Sequence, residues 1–158
     1  MASFVADIGE AIATAITSGS SYFTAIGGLN AEYGDQPKDY NVKTGRAYIR
    51  SEGMEIISQV TGSARSVFRY SITVALLDVR AANEAMGVVQ QGLQNVFAND
   101  GNAILNTHLS DSGSNRLVGG GTCRVMPEVT PLEGLTNRDA PIIRARCEVE
   151  CWHSYPLA

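Results

Sequence analysis

Three features of the sequence predict an α+β fold, with an antiparallel sheet of about four main strands and helices packed on one of its faces. A three-to-four-residue apolar period opens the chain. A two-residue alternation runs through Ser66–Asp78 and again through Ile142–Trp152. A second three-to-four-residue period lies between those two stretches. The element order is helix, strand, strand, helix, strand, strand. Paired strands broken by one long helix suit an antiparallel sheet with helices on one face rather than a parallel βαβ unit. The 158 residues fit a single domain, 1–158, long enough to bury a core without disulfide or metal staples.

The first helix is expected over Phe4–Thr17. Phe4, Ile8, Ile12 and Ile16 recur at every fourth position, with Val5, Ala11 and Ala15 beside them. Ser3 is placed to cap it, Asp7 and Glu10 lie toward the positive end of its dipole, and Ser18-Gly19-Ser20-Ser21 stops it. Tyr22, Phe23, Ile26 and Leu29 are apolar enough to pack as a short helical or extended piece. Asn30–Gly45 is polar, rich in breakers and without a period, so it is expected as a long loop, a partner-contacting or mobile segment. Its candidate contacts are Tyr33, Asp35, Lys38, Asp39, Tyr40 and Lys43. The two tyrosines are amphipathic rings of the kind found at interfaces.

Ala47–Arg50 and Met54–Ile57 flank Gly53, which predicts a bent or broken strand, and 60–64 reads as a turn. In Ser66–Asp78, Phe68, Tyr70, Ile72, Val74 and Leu76 share one face, while Val67, Arg69, Ser71, Thr73 and Ala75 share the other. The next helix is traced by Ala82, Ala85, Met86, Val89, Leu93, Val96 and Phe97. Gln90, Gln91, Gln94 and Asn95 fall largely opposite. A freely solvated helix usually carries Lys and Glu there, so this neutral amide face is a candidate subunit interface. Asn99-Asp100-Gly101 ends the helix, and a loop is expected through 110–121. Thr122–Thr130 reads as a strand with an edge or bulge at Pro127, and 131–141 as a connector. In the last strand Ile143, Ala145, Cys147, Val149 and Cys151 line one face. Arg144, Arg146, Glu148 and Glu150 line the other, an ordered charge strip suited to ion pairs within the sheet or to fixing register against a neighbouring subunit.

Composition narrows the function. Twelve Lys+Arg against sixteen Asp+Glu leave a net charge of −4, unlike a basic nucleic-acid binder. No apolar run nears the ~18 residues of a membrane helix. The start, Met1–Asp7, lacks a positive region, so no secretory signal is expected. Charged residues are only 18%, which points to neutral surfaces, chiefly the amide helix face and the Ser/Thr side of the central strand, available for packing between subunits.

Catalytic and metal chemistry find little to stand on. His108 and His153 lack any paired spacing and read as surface or hydrogen-bonded histidines. Cys147 and Cys151 lie ~13 Å apart along one strand, too far for a disulfide or one zinc, and read as small buried apolar residues. Cys123 is left free to neighbour either of them across strands. Gly119-Gly120-Gly121-Thr122 lacks the lysine and following helix of a phosphate loop, and no G-x-S-x-G elbow occurs. No catalytic, metal-binding or cofactor-binding residues are assigned, no cofactor is expected, and the chain is read as non-enzymatic.

The arrangement of the helix Phe4–Thr17, the segment 30–45, the strand Val67–Leu77 running into the helix Asn83–Phe97, and the closing strand Ile142–Trp152 with its Trp152-His153 end resembles the tail terminator proteins of long-tailed bacteriophages, within the tail-completion and neck group. That resemblance implies a virion structural protein of the tail or neck, assembled in the host cytoplasm as a homo-oligomeric ring of six. It implies tail tube protein as one partner and a neck or connector protein as the other, with DNA enclosed but not read and no membrane contact. A ring of this kind ends tube polymerisation and joins tail to head. Another neck component, and a soluble α+β ligand- or protein-binding domain, are the alternatives the sequence leaves open. A cyclic ring needs two different complementary patches on each subunit. The amide face and the Arg/Glu strip are the two candidates.

Overall fold

The computed structural model describes residues 3–34, 45–75, 82–98, 117–131 and 142–155. Helix α1 covers Phe4–Ser18, and the Ser3 hydroxyl caps it by accepting the Ala6 amide at 3.1 Å. Its stripe of Phe4, Ile8, Ala11, Ile12, Ala15 and Ile16 is buried, as the four-residue spacing requires. Gly19 ends α1 and passes the chain into a 3-10 helix, Ser20–Ile26, which turns Phe23 and Ile26 inward. The second long helix, α2, spans Ala82–Val96, within one residue of the expected Asn83–Phe97 at each end, and buries Val89, Leu93 and Val96.

The sheet has the four long strands expected and a short fifth one. They are β1 Asn30–Tyr33, β2 Arg46–Val60, β3 Ser63–Ala75, β4 Leu117–Pro131 and β5 Ile142–Ser154, in the order β1-β2-β3-β5-β4. β1 runs parallel to β2 and every other pair is antiparallel, so the sheet is mixed. Two corrections concern expected loops. Asn30–Tyr33 is a strand, its four residues in register with Arg46–Ile49. Its single apolar pair, Ala31 and Tyr33, is too short for a period to be read from sequence. Leu117–Gly121 also belongs to a strand, because β4 pairs with β5 from Leu117 onward across a register shift that absorbs the glycines. Asp35, Lys38, Asp39, Tyr40 and Lys43, the rest of the expected loop contacts, lie outside the described residues, as do His108 and most of 110–121.

Of the bend or break expected around Gly53, β2 shows an irregularity within a continuous strand. Gly53, at φ +119°, takes a conformation that side chains disfavour and lets Glu52 enter as an extra residue between the pairs Ser51–Tyr70 and Gly53–Arg69. A second shift falls at Ile57. β3 and β5 pair along their whole lengths, which sets Arg69 opposite Glu148, Ser71 opposite Arg146 and Thr73 opposite Arg144.

The core lies between the sheet and the helices. Phe68, Tyr70, Ile72 and Val74 from β3 meet Ile143, Ala145, Cys147 and Val149 from β5 and the buried stripe of α1. The Phe4 and Phe68 rings meet edge-on at 5.6 Å. The Tyr70 hydroxyl donates to the Val5 carbonyl at 2.6 Å, tying the sheet to the first turn of α1. Two glycines allow close helix contacts. A Cβ on Gly9 would stand 2.2 Å from the Tyr33 ring, and one on Gly92 would stand 2.4 Å from the Phe23 ring. Each ring therefore occupies the space that a side chain on the glycine would need.

Candidate functional site

The residues singled out on the last strand do come together, on the sheet face opposite the helices. Period-two alternation sends Arg144, Arg146, Glu148 and Glu150 to that face, because Ile143, Ala145, Cys147 and Val149 are taken into the core. Their partners come from the chain's own neighbouring strands. Arg65 on β3 reaches Glu150 at 2.6 Å, and Arg69 bridges Glu148 at 3.1 Å and Glu55 of β2 at 2.9 Å. Arg144 reaches across β3 to Glu52 at 2.6 Å, with Arg146 at 3.7 Å from the same carboxylate. The strip is thus a cross-strand lattice spanning β2, β3 and β5.

The bulge residue of β2 anchors that lattice. As the extra residue of β2, Glu52 turns over the sheet face toward both arginines and accepts a hydrogen bond from Ser71. Burial pushes its carboxyl pKa up, but the hydrogen bond and charge of Arg144, the charge of Arg146 and the Ser71 hydroxyl outweigh this and hold it below the ordinary carboxylate value of 4.5. Arg69 is raised above its usual value, first by its hydrogen bond to Glu55, against desolvation, and then by the Glu148 and Glu55 charges. Sequence spacing could not find these partners, since Glu52 and Arg144 are 92 residues apart.

The neutral side of the central strand is not a free surface. Ser71 and Thr73 are buried within the single chain, beside the arginines that pair with them in register. On α2, Gln91 and Gln94 are exposed and Gln90 is half-buried, opposite the buried Val89 and Leu93. The amide face and the charge strip therefore lie on opposite layers of the molecule. Tyr33 sits in β1 with its ring over Gly9 and 6.4 Å from that of Tyr70, half-buried against the core.

His153 is fully buried and hydrogen-bonded, as expected for a structural histidine. Its Nδ1 donates to the Ser154 carbonyl at 2.8 Å, which leaves Nε2 to accept from the Ser66 hydroxyl at 2.7 Å. Cys123 stands in register with Val149, so neither Cys147 nor Cys151 is its directly opposite partner. Burial, with a smaller push from the Glu150 charge, raises the Cys151 thiol to about 12, which keeps it protonated and unreactive. Among the described residues, no group of three His, Cys, Asp or Glu is placed to hold a metal, and no helix is long and apolar enough to cross a membrane. An open groove of about 450 Å³ lies between α1 and β1, lined by residues that include Glu10, Thr14, Thr17, Glu32 and Tyr33.

One feature was missed by sequence reasoning. β1 covers only residues 46–49 of β2, and its ladder ends where the Gly34 amide donates to the Ile49 carbonyl at 3.0 Å. Beyond that point no strand among the described residues pairs with the outer side of β2. Met54, Ile56, Ile57 and Val60 are 36%, 41%, 50% and 53% exposed along it. The signal was present as the apolar run Met54–Ile57, but sequence does not tell an edge strand from an interior one.

Among solved structures, the chain is similar to the sheath/tube terminator of an extracellular contractile injection system, PVC, seen by cryo-EM in its extended state. The match has 15% identity and a TM-score of 0.43, and it covers 89% of this chain and 56% of that one, so this chain spans little more than half of that protein's length. No protein-family model and no curated protein matches the chain.

Proposed function

We propose that this chain is a non-enzymatic structural subunit of a phage tail, a terminator that forms a ring on the end of the tail tube, stops its growth and presents the surface that joins the neck. The observation that supports this is the uncovered half of β2, where four large apolar side chains lie exposed on an edge strand. A soluble monomer guards such an edge or buries it, so the exposure suits a surface completed by assembly. The opposite layers of the molecule serve the same reading. The amide face with Gln90, Gln91 and Gln94 and the strip of Arg144, Arg146, Glu148 and Glu150 are two different patches, as a head-to-tail ring requires. The strip's internal pairs hold its side chains in place, so what it presents to a neighbour is a rigid, patterned surface suited to orientation. The net charge of −4 suits a channel through which DNA slides without adhering.

The test is electron microscopy of tail tubes grown from tube protein with and without this protein. The expected result is a six-fold ring on one tube end and tubes that stop lengthening. Tubes that grow unchanged and uncapped overturn the reading. A twelve-fold ring that binds a head connector and ignores the tube assigns the chain to the neck instead.

A further inference from the structure

We propose that the sheet is completed by a second copy of this chain, the outer edge of β2 at residues 51–60 pairing antiparallel with the outer edge of β4 in the next subunit. This rests on the ring reading and places the contact that closes it at the sheet edges, with the amide face and the charge strip flanking it on the two layers. Along residues 51–60 the outward backbone amides and carbonyls have no strand against them among the described residues. Such a row of alternating donors and acceptors is complementary to an extended strand and to little else. The side chains agree. Met54 and Ile56, opposite Phe68 and Ser66, project on the helix side of the sheet, where an added strand would cover them.

Two of the usual guards of an edge, lysine and proline, are absent here, although the register shifts at Glu52 and Ile57 remain. The stretch Ser51–Val60 holds no lysine and no proline, and its two charges, Glu52 and Glu55, are drawn back onto Arg144 and Arg69 of the same chain. The occupant follows from topology. Among the described residues the sheet ends on its other side in β4, a fifteen-residue strand long enough to span the open part of β2. β2 and β5 point one way, β3 and β4 the other. Rotation about an axis along the strands preserves direction, so it brings the neighbour's β4 antiparallel to β2. That contact joins two different edges and therefore repeats around a ring. Pairing β2 with β2 across a two-fold axis would close a dimer and leave β4 unused.

Native mass spectrometry and peptide-resolved hydrogen exchange on the full chain, over a concentration series, test this. The expected result is assembly beyond a dimer, with slowed exchange in both 51–60 and 117–131 as assembly proceeds. The double substitution Ile56→Lys, Ile57→Lys places charge on exposed positions. It is expected to leave the circular dichroism spectrum unchanged and to weaken association by at least about tenfold. Assembly with both segments exchanging as in the monomer overturns the edge contact and leaves the ring reading standing. A dimer with only 51–60 protected overturns it in favour of self-pairing. A chain that stays monomeric at every concentration also overturns it, while the ring reading is then judged on tail tubes.

Discussion

Gly92 shows how much a single missing carbon contributes to this core. The Phe23 ring fills the space that a side chain on Gly92 would need, and it is fully buried with nowhere to retreat. Gly92→Val should lower stability by about 1–3 kcal/mol through overpacking, read by thermal or urea unfolding. His153 makes the second argument at this scale. His153→Leu keeps the apolar contacts to Phe4 and Phe68 but strands the buried Ser66 hydroxyl, at a cost of about 1–3 kcal/mol. Adding Ser66→Ala should recover part of that loss, because no polar group is then left without a partner. Unfolding of the two single variants and the double variant measures the coupling directly.

The bulge in β2 is an element-scale device. Its extra residue, Glu52, lies two positions on from Arg50 on the outer sheet face and gathers Arg144 and Arg146 there, while the bulge resets the alternation so that Met54 and Ile56 fall on the helix side. The linkage has a definite sign. The Glu52 carboxyl is held below 4.5 in the folded chain, so the stability it contributes is present above its unfolded value and is lost as pH falls through the lower folded value. Glu52→Gln should therefore lower stability by a constant amount near neutral pH, and the gap to the parent chain should narrow below about pH 4.5. Urea unfolding at a series of pH values checks this. A gap that widens on acidification would show that the pairing with Arg144 does not govern Glu52. The half-exposed Arg65–Glu150 pair should matter little, within about 1 kcal/mol on removal.

At the scale of the whole molecule, the two layers are unequal. The helix side buries a continuous core from Phe4 to Cys151, while the outer side is a pinned lattice of ion pairs. The molecule offers an assembly three surfaces: the lattice, the amide face of α2 and the open edge of β2. The ring test on tail tubes and the exchange test on the β2 and β4 edges act at this scale. A ring built through the edges should lose its assembly with Ile56→Lys, Ile57→Lys and keep it with changes confined to the Arg65–Glu150 pair.

The sequence alone determined the elements that carry their own periodicity. The stripe of α1, the alternation of β3 and β5 and the apolar line of α2 are local patterns, although β3 begins at Ser63 inside the expected turn and the expected strand residues 76–78 lie outside the described residues. The side of β5 that bears Arg144, Arg146, Glu148 and Glu150 follows from the same arithmetic. Tertiary structure alone decided what depends on partners distant along the chain. Asn30–Tyr33 is a strand because β2 stands beside it, and Glu52 meets Arg144 because a bulge and two strand pairings bring them together. Met54, Ile56, Ile57 and Val60 lie open because β1 is four residues long and β2 is fifteen. Period reports which face a residue takes, but only the order and length of neighbouring strands decide which edge is left bare.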